Sequence, residues 1–297
     1  MVNQRLLISY AHPDDESFGN GGLIAKYVAE GTDVYLICAT DGDVGTIPEE
    51  MQGQYATIRE LRLAELDCAN AILKFKKMFL LGYKDSGMMG SETSKDPTCL
   101  WATWENEPDT VTRRVVEVIR EIKPHVILTF NKYGGYGHPD HIAIQRATTE
   151  AFNLAGDPNY LTDGLQPYQP QKLYYSGISS TFLKIMLFIM KLRGKDTRRM
   201  GRNNDIDFDA IVEHIEPAHT KVDVADYLDE WDAASACHKS QGGGGSGFFR
   251  RFPMWLRRRI QGKQSLTRVH PVPAHNRIDE YDLFENVTID DPQPEHV

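Results

Sequence analysis

Short apolar runs alternate with amphipathic stretches through the first half of the chain. We predict strands from the apolar runs at residues 6–11, 33–39, 78–83 and 126–130. We predict helices from the periodic stretches at residues 20–30, 54–73, 109–122 and 141–154. Nearly continuous apolar strands that alternate with helices are typical of a parallel sheet covered on both faces. The sequence therefore predicts an α/β, Rossmann-like fold with a mostly parallel sheet.

The pattern loosens after residue 155, although a further strand at 172–176 and a helix at 222–239 are predicted. The glycine-rich run at 241–247 indicates a flexible loop or an engineered linker, and residues 290–297 have the polar composition of a frayed end. We therefore divide the chain into a core of residues 1–180 and a looser C-terminal extension of residues 181–297. The extension is expected to complete the core, and a lid is one use for it.

Composition narrows the class of protein. The 297 residues carry a formal net charge of -9, which opposes nucleic acid as a partner because phosphate binding needs a basic face. The chain has no apolar run of the roughly 18 residues that a membrane span needs, and residues 1–5 run straight into a strand without a signal peptide. The four cysteines lack Cys-x-x-Cys spacing and are expected to be buried, reduced thiols. We predict a cytoplasmic location.

Two segments depart from the acidic trend. Residues 181–202 combine an apolar stretch with seven basic residues and one acid, and residues 247–263 combine four aromatic residues with six basic residues and no acid. The simpler interpretation is a packed helix with a solvated basic face. The alternatives are a lid or surface that meets an anionic, membrane or lipid-linked substrate, or, for 247–263, a contact in a homo-oligomer.

Two motifs lie just beyond predicted strands: His12-Pro13-Asp14-Asp15-Glu16 and His138-Pro139-Asp140-His141. Parallel sheets bind ligands beyond the carboxyl ends of their strands, so the motifs are expected to meet there. Two imidazoles and one carboxylate leave coordination positions for water and substrate, as in catalytic metal sites. The spacing does not decide which histidine binds metal. The combination predicts a metal-dependent hydrolase.

The two motifs also resemble those of a known enzyme family. With 82–87, 134–137 and 238–241, they resemble the signatures of the PIG-L/LmbE-like N-deacetylases, over most of residues 5–241. The form Gly-Gly-Tyr-Gly-His-Pro-Asp-His is most similar to the branch that acts on mycothiol precursors and conjugates. The resemblance implies a zinc-dependent enzyme, with Fe²⁺ as an alternative metal, that removes an acetyl group from an N-acetylated amino sugar.

The resemblance further implies a role for individual residues. Zinc is expected at His12, Asp15 and His141, with Asp14 as the general base. Next to the reacting carbonyl it implies His138 and Tyr136, with Asp140 orienting a histidine. Around the substrate it implies Arg62, Asp85 and Asp43, the last in the loop 41–45, where relatives commonly have Glu.

Three rival interpretations remain at this stage. The same metal site could cut a bulkier amide of a thiol conjugate. Two histidines and a carboxylate also suit a non-haem Fe(II) oxygenase, although those enzymes are usually β-barrels. The run Gly19-Asn20-Gly21-Gly22 after the first strand resembles part of a dinucleotide-binding turn, but Ile24 occupies the last glycine position and nearby acids would repel a pyrophosphate.

Overall fold

A computed structural model describes residues 3–45, 47–177, 180–200, 206–243 and 252–289. Five neighbouring strands form the parallel part of its sheet. They are β1 (Arg5–Tyr10), β2 (Asp33–Thr40), β3 (Lys77–Tyr83), β4 (Val126–Thr129) and β5 (Lys172–Ser176). The side chains of β1 and β4 are almost completely buried, as expected for strands covered on both faces. The predicted parallel sheet is confirmed.

Two strands from the C-terminal part extend this sheet: β6 (Thr220–Asp223) and β7 (Lys263–His270). The strand order is β3-β2-β1-β4-β5-β7-β6, and β7 runs antiparallel to both of its neighbours. The predicted helix at 222–239 is therefore wrong at its start. Val222 is fully buried in the pairing of β6 with β7, and the helix begins only at Leu228.

Ten helical segments connect and cover the strands in the described residues. They are α1 (Asp15–Ala29), α2 (Ile58–Leu73), α3 (Leu100–Asn106), α4 (Pro108–Ile122), α5 (Gly134–Gly137), α6 (Pro139–Leu154), α7 (Ser180–Leu192), α8 (Phe208–Glu213), α9 (Leu228–Cys237) and α10 (Met254–Gln261). Helices α1, α2 and α9 pack together, and α3, α4 and α6 form a second group. Right-handed crossovers between parallel strands place such groups on opposite faces. The α/β fold prediction is confirmed.

The glycine run after β1 lies inside α1 rather than in a nucleotide-binding turn. A Cβ atom added to Gly21 would lie 2.7 Å from Cδ1 of Trp231, and one added to Gly22 would lie 3.0 Å from the same side chain. Close packing of α1 on α9 therefore accounts for these two glycines.

Cys68 and Cys237 form a disulfide that joins α2 to the end of α9, whereas Cys38 and Cys99 are free and buried. The prediction of four reduced thiols is thus wrong for one pair. The two cysteines are 169 residues apart, and only the packing of α2 against α9 brings them together.

None of the helices among the described residues is long and apolar enough to cross a membrane. Four predicted segments lie partly or wholly outside the described residues: 201–202 of the basic segment 181–202, 244–247 of the glycine-rich run, 247–251 of the basic aromatic segment, and the end at 290–297.

A buried ionic network joins the C-terminal part to the sheet. The Glu280 carboxylate is 5% exposed and lies 2.7 Å from the Lys172 ammonium and 2.8 Å from the Arg268 guanidinium. It also accepts hydrogen bonds from the hydroxyls of Tyr174 and Thr220, both at 2.8 Å. These partners come from β5, β6 and β7, so one side chain connects three strands.

Replacing Glu280 with glutamine is expected to lower the free energy of unfolding by about 3–5 kcal/mol, because it leaves buried cations without their counter-charge. Chemical denaturation measures the change. Glu121→Gln removes an exposed pair with Lys77 and should cost at most about 1 kcal/mol. Similar losses in the two variants would contradict the role of Glu280.

The same network gives stability a pH dependence. Burial alone would raise the pKa of Glu280, but Lys172 and the two hydroxyl donors lower it overall. A lowered pKa in the folded state means that the stabilisation is present above the unfolded value of about 4.3 and is lost as the pH falls below it. In the glutamine variant this part of the acid dependence should disappear.

Candidate metal and catalytic site

The two motifs meet because β1 and β4 are neighbours. Along the parallel part of the sheet, the chain proceeds outward from β1 to β3 in one direction and from β4 to β5 in the other. Crevices at such a reversal are the usual ligand sites of open α/β sheets. Helix α1 begins at Asp15 and α6 at Pro139, so both motifs lie at the first turns of helices, earlier than the helices predicted from position 20 and position 141.

Three predicted metal ligands lie within contact of one another. His12 Nδ1 is 3.1 Å from His141 Nε2 and 3.5 Å from Asp15 Oδ2, and His141 Nε2 is 3.3 Å from Asp15 Oδ1. Tetrahedral zinc with bonds of about 2.0 Å requires donor atoms about 3.3 Å apart. The spacing of this nitrogen, nitrogen and oxygen set therefore fits a divalent ion.

The second ring nitrogen of each histidine already has a partner. His12 Nε2 lies 3.1 Å from Asp140 Oδ2, and His141 Nδ1 lies 3.0 Å from the Gly134 carbonyl oxygen. If each of these nitrogens carries the proton, His12 Nδ1 and His141 Nε2 keep free lone pairs that face each other. A carboxylate or carbonyl behind each imidazole is the usual support of metal-binding histidines.

Asp140 is itself held in place. It is fully buried, and Ser86 donates to it from its backbone N–H, at 2.9 Å, and from its hydroxyl. Its carboxylate is 3.1 Å from His12 Nε2 but 3.9 Å from His138 Nδ1. The histidine that Asp140 contacts most closely is therefore His12.

Other sets of nearby donors share His12. One contains His12, His138 and His141, and another contains His12, Asp85, His138 and Asp140. The second set would use the carboxylates that face His12 Nε2, which is the nitrogen bonded to Asp140. We favour the set with Asp15 because it leaves that support intact.

The electrostatic surroundings suit this assignment for His141 and Asp15, whereas for His12 burial lowers the pKa but Asp85 and the neighbouring carboxylates raise it overall when no ion is bound. Burial lowers the pKa of His141 to about 4, so its imidazole is neutral at neutral pH, as a ligand must be. Burial alone would raise the pKa of Asp15, but the neighbouring His141 and His12 lower it overall, and the carboxylate stays ionised.

Asp14 occupies an unusual backbone conformation beside these donors. Its φ of 140° lies in the region that favours glycine, and such strain persists only where neighbours hold it. Its N–H donates to Glu16 Oε2 at 3.0 Å, and its carboxylate lies 3.3 Å from the Arg62 guanidinium. Burial raises the pKa of Asp14 to about 7, against the opposing charge of Arg62. A carboxylate with such a pKa can exchange protons near neutrality.

Glu16 and His238 form a buried pair behind Asp14, a pairing that the sequence did not predict. His238 Nε2 donates to Glu16 Oε1 at 2.7 Å, and both side chains are at most 1% exposed. Both residues belong to motifs that carry the family resemblance, and this was the only indication in the sequence that they have a role in the site. Their contact spans 222 residues and becomes visible only when α9 packs on α1.

His238→Ala is expected to lower kcat by about 10- to 100-fold with little change in KM, as is typical when support behind a site is lost. The substitution leaves Glu16 buried without its donor and releases the Asp14 backbone. His238→Gln, which can donate from its amide, should recover part of the loss. Equal damage in both variants, or a change confined to KM, would contradict this role.

Tyr136 and His138 lie on the turn between β4 and α6. The ring of Tyr136 packs edge-on against His141 with centroids 5.1 Å apart. Burial raises the pKa of Tyr136, so its hydroxyl remains a proton donor. Burial, with His12 and His141 nearby, lowers the pKa of His138, whose Nδ1 accepts a hydrogen bond from the Asp140 N–H at 3.2 Å.

Of the three residues predicted around the substrate, two line the cavity and one does not. Arg62 and Asp85 line the cavity next to His12, with Asp85 Oδ1 3.6 Å from His12 Nε2. Asp43 is not among the lining residues; its carboxylate accepts the Asp85 N–H at 2.9 Å. The geometry gives Asp43 a supporting position rather than a direct contact.

One cavity of about 940 Å³ is lined by the three proposed metal ligands and by Asp14, Arg62, Asp85, Tyr136 and His138. The same cavity is also lined by Trp231, Gln261 and Gln264. Its volume is at the upper end of the range for small-molecule sites, about 300–1,000 Å³. The cavity therefore accommodates a substrate larger than its reacting amide.

Comparison with known proteins identifies relatives of the whole arrangement. A 1D-myo-inositol 2-acetamido-2-deoxy-alpha-D-glucopyranoside deacetylase from Nocardioides sp. (strain JS614) is 35% identical over 252 residues, which cover 80% of this chain and 83% of that protein. Residues 7–152, which include both His-Pro-Asp motifs, match the family model described as PIG-L, GlcNAc-PI de-N-acetylase.

Solved structures share the fold at low sequence identity. The N,N'-diacetylchitobiose deacetylase from Pyrococcus horikoshii aligns with a TM-score of 0.61 at 20% identity, covering 91% of this chain and 87% of that one. The 4-carboxy-2-hydroxymuconate hydratase GalB from Pseudomonas putida KT2440 aligns with a TM-score of 0.58 at 16% identity, covering 92% and 99%. Because the second protein is a hydratase, the fold alone does not define the reaction. The sequence match does so at the level of family: this chain belongs to the PIG-L family of de-N-acetylases, enzymes that hydrolyse an amide bond.

Proposed function

We propose that this enzyme removes the acetyl group from the amide nitrogen of an N-acetylglucosaminyl small molecule. The proposal includes zinc as the metal, held by His12, Asp15 and His141. The observation that carries it is the donor set with spacings of 3.1–3.5 Å, in which the second nitrogen of each imidazole is already bonded. When bound there, a divalent ion would polarise the amide carbonyl and lower the pKa of a water molecule.

The proton transfers are assigned to side chains of the chain itself. Asp14, fixed by Glu16 and Arg62, accepts the proton of the attacking water. Tyr136, a cavity-lining hydroxyl, donates a hydrogen bond to the oxygen that gains negative charge. Asp14 then returns that proton to the amine as it leaves, while His138, kept neutral by its lowered pKa, stays beside the reacting carbonyl.

We propose a substrate in which the amino sugar is attached to a second polar group such as inositol. Two lines of support are the name of the Nocardioides relative and a cavity that continues from the donor atoms to Gln261 and Gln264. In this arrangement the acetamide lies at the metal end and the attached group lies toward the amide side chains. The same volume would accept a bulkier amide of a thiol conjugate.

A substrate panel tests the proposal. Zinc-loaded enzyme is given N-acetylglucosaminyl-inositol, N-acetylglucosamine alone and an amide of a bulky thiol conjugate, and both acetate and free amine are followed. We expect the highest kcat/KM, with acetate release, on the first compound. Faster cleavage of the conjugate would replace the proposal with the amidase alternative, and activity that survives complete metal removal would reject the metal site. Activity measured after anaerobic loading with Zn²⁺ or Fe²⁺ distinguishes the two metals.

A cytoplasmic location is part of the proposal. The Cys68–Cys237 disulfide argues against it, because such bonds are uncommon in that compartment. Thiol labelling of protein taken directly from cells tests the location. A reduced Cys68–Cys237 pair would support the cytoplasm, and an oxidised pair would support an oxidising compartment.

A further inference from the structure

The outer face of α7 is apolar and exposed. Ile185, Phe188, Ile189 and Leu192 are between 42% and 72% exposed. Their spacing of three and four residues places them in a single stripe along the helix. A contiguous exposed apolar stripe on a helix marks a surface that meets a partner.

The inner face of the same helix is already occupied. Leu183 and Leu187 are buried against Ile211 of α8, and this small cluster also contacts Tyr136 and Ile206. Helix α7 is thus anchored beside the catalytic cavity, which Tyr136 and Ile206 both line. The outer stripe is not needed to hold the helix in place.

Basic side chains surround the stripe. Between residues 184 and 199 the chain has six lysines and arginines, all exposed, and one acid, Asp196, within a protein whose net charge is -9. Lys191 and Arg198 approach Asp209, at 2.8 Å and 3.7 Å. The net charge of this segment is therefore opposite in sign to that of the chain as a whole, which favours an anionic partner.

A second helix at the same cavity has a similar character. Helix α10 contributes Ile260 and Gln261 to the cavity lining, exposes Trp255 at 70%, and carries the exposed Arg258 and Arg259. Exposed tryptophan among basic residues is typical of segments that lie at a membrane–water interface. Two elements that border one cavity thus share an apolar and basic exterior.

We propose that α7, together with α10, docks the enzyme on the surface of an anionic bilayer, with the catalytic cavity adjacent to that surface. An apolar stripe flanked by lysines and arginines can insert at the headgroup boundary while its charges attract anionic lipids. A second copy of the chain fits less well, because a two-fold contact would bring the basic flanks of the two copies together. The inference goes beyond the proposed function, since it concerns where the enzyme acts and not the bond that it cuts.

Vesicle binding by the full-length, zinc-loaded enzyme tests the inference. The probes are vesicles of phosphatidylcholine alone and of phosphatidylcholine with phosphatidylglycerol, at low and high salt. We expect sedimentation with the anionic vesicles only, weakened by high salt. The double variant Ile185→Ser/Phe188→Ser should bind at least about tenfold more weakly, because it loses the apolar part of the stripe.

A matched control is Leu161→Ser, which replaces a 75% exposed leucine far from both helices in sequence. It should bind vesicles as the unchanged protein does. Activity on a soluble substrate should be the same in all three proteins, which separates this test from that of the proposed function. Absence of binding to anionic vesicles, or equal binding by the double variant, overturns the inference. So does a concentration-dependent dimer that the double variant abolishes, which would assign the stripe to a second copy.

Discussion

Replacing Asp14 with asparagine is expected to lower kcat by about 100- to 10,000-fold while the enzyme keeps its metal, because the amide preserves the shape of the side chain but accepts no proton. Asp14 lies in the cavity with its carboxylate 3.3 Å from Arg62, and it is not a member of the donor set. Its backbone bond to Glu16 is unaffected by the change. Initial rates and metal content per chain, measured on the same preparation, check both parts of the expectation.

His12→Ala is the informative comparison. His12 supplies Nδ1 to the donor set, and its Nε2 is bonded to Asp140. The alanine variant loses both contacts, so it should lose metal as well as turnover. Two positions in one motif, separated by a single proline, would then have separable effects. Equal metal loss in Asp14→Asn and His12→Ala would refute the division of roles.

Tyr136→Phe is expected to lower kcat by about 100- to 1,000-fold, the usual effect of removing one donor to a developing oxyanion. The hydroxyl is protonated at neutral pH because burial raises the pKa of Tyr136. KM should change little, since the bond strengthens as charge develops on the oxygen and contributes less to ground-state binding.

Tyr133→Phe provides the control for this prediction. Tyr133 lies on the same turn but stacks on His214, with centroids 4.1 Å apart, and is not among the residues that line the cavity. It should retain nearly full activity. A similar loss in both variants would indicate damage to the turn, and a loss confined to KM in Tyr136→Phe would assign its hydroxyl to substrate binding.

The parallel half of the fold was predictable because burial on both faces makes its strands continuously apolar. The errors lie where local pattern and tertiary pairing conflict. Strand β6 has four residues, and its last two fall within the helix predicted at 222–239, because only the pairing of β6 with β7 makes it a strand. Strand β7 is rich in polar residues and was not predicted. Helix α1 begins five residues earlier than predicted because the polar motif itself forms its first turn.

The functional site also has a part that the sequence predicts and a part that it does not. Its motifs are local in sequence, and the positions of β1 and β4 bring them together, so the cluster was predictable. Contacts between distant segments were not: His238 with Glu16, Ser86 with Asp140, and the Cys68–Cys237 bond all depend on how loops and helices pack. The contact between the Asp43 carboxylate and the backbone N–H of Asp85 was likewise not predictable from the sequence.

The position of β7 constrains how this protein is made. Because β7 lies between β5 and β6, a nascent chain cannot close the sheet until residue 270 has left the ribosome. His238 must likewise be synthesised before it can pair with Glu16, 222 residues earlier in the chain. Until then the edge of β5 that pairs with β7 has no partner strand, so ribosome arrest before β7 should leave that edge exposed and the chain dependent on chaperones.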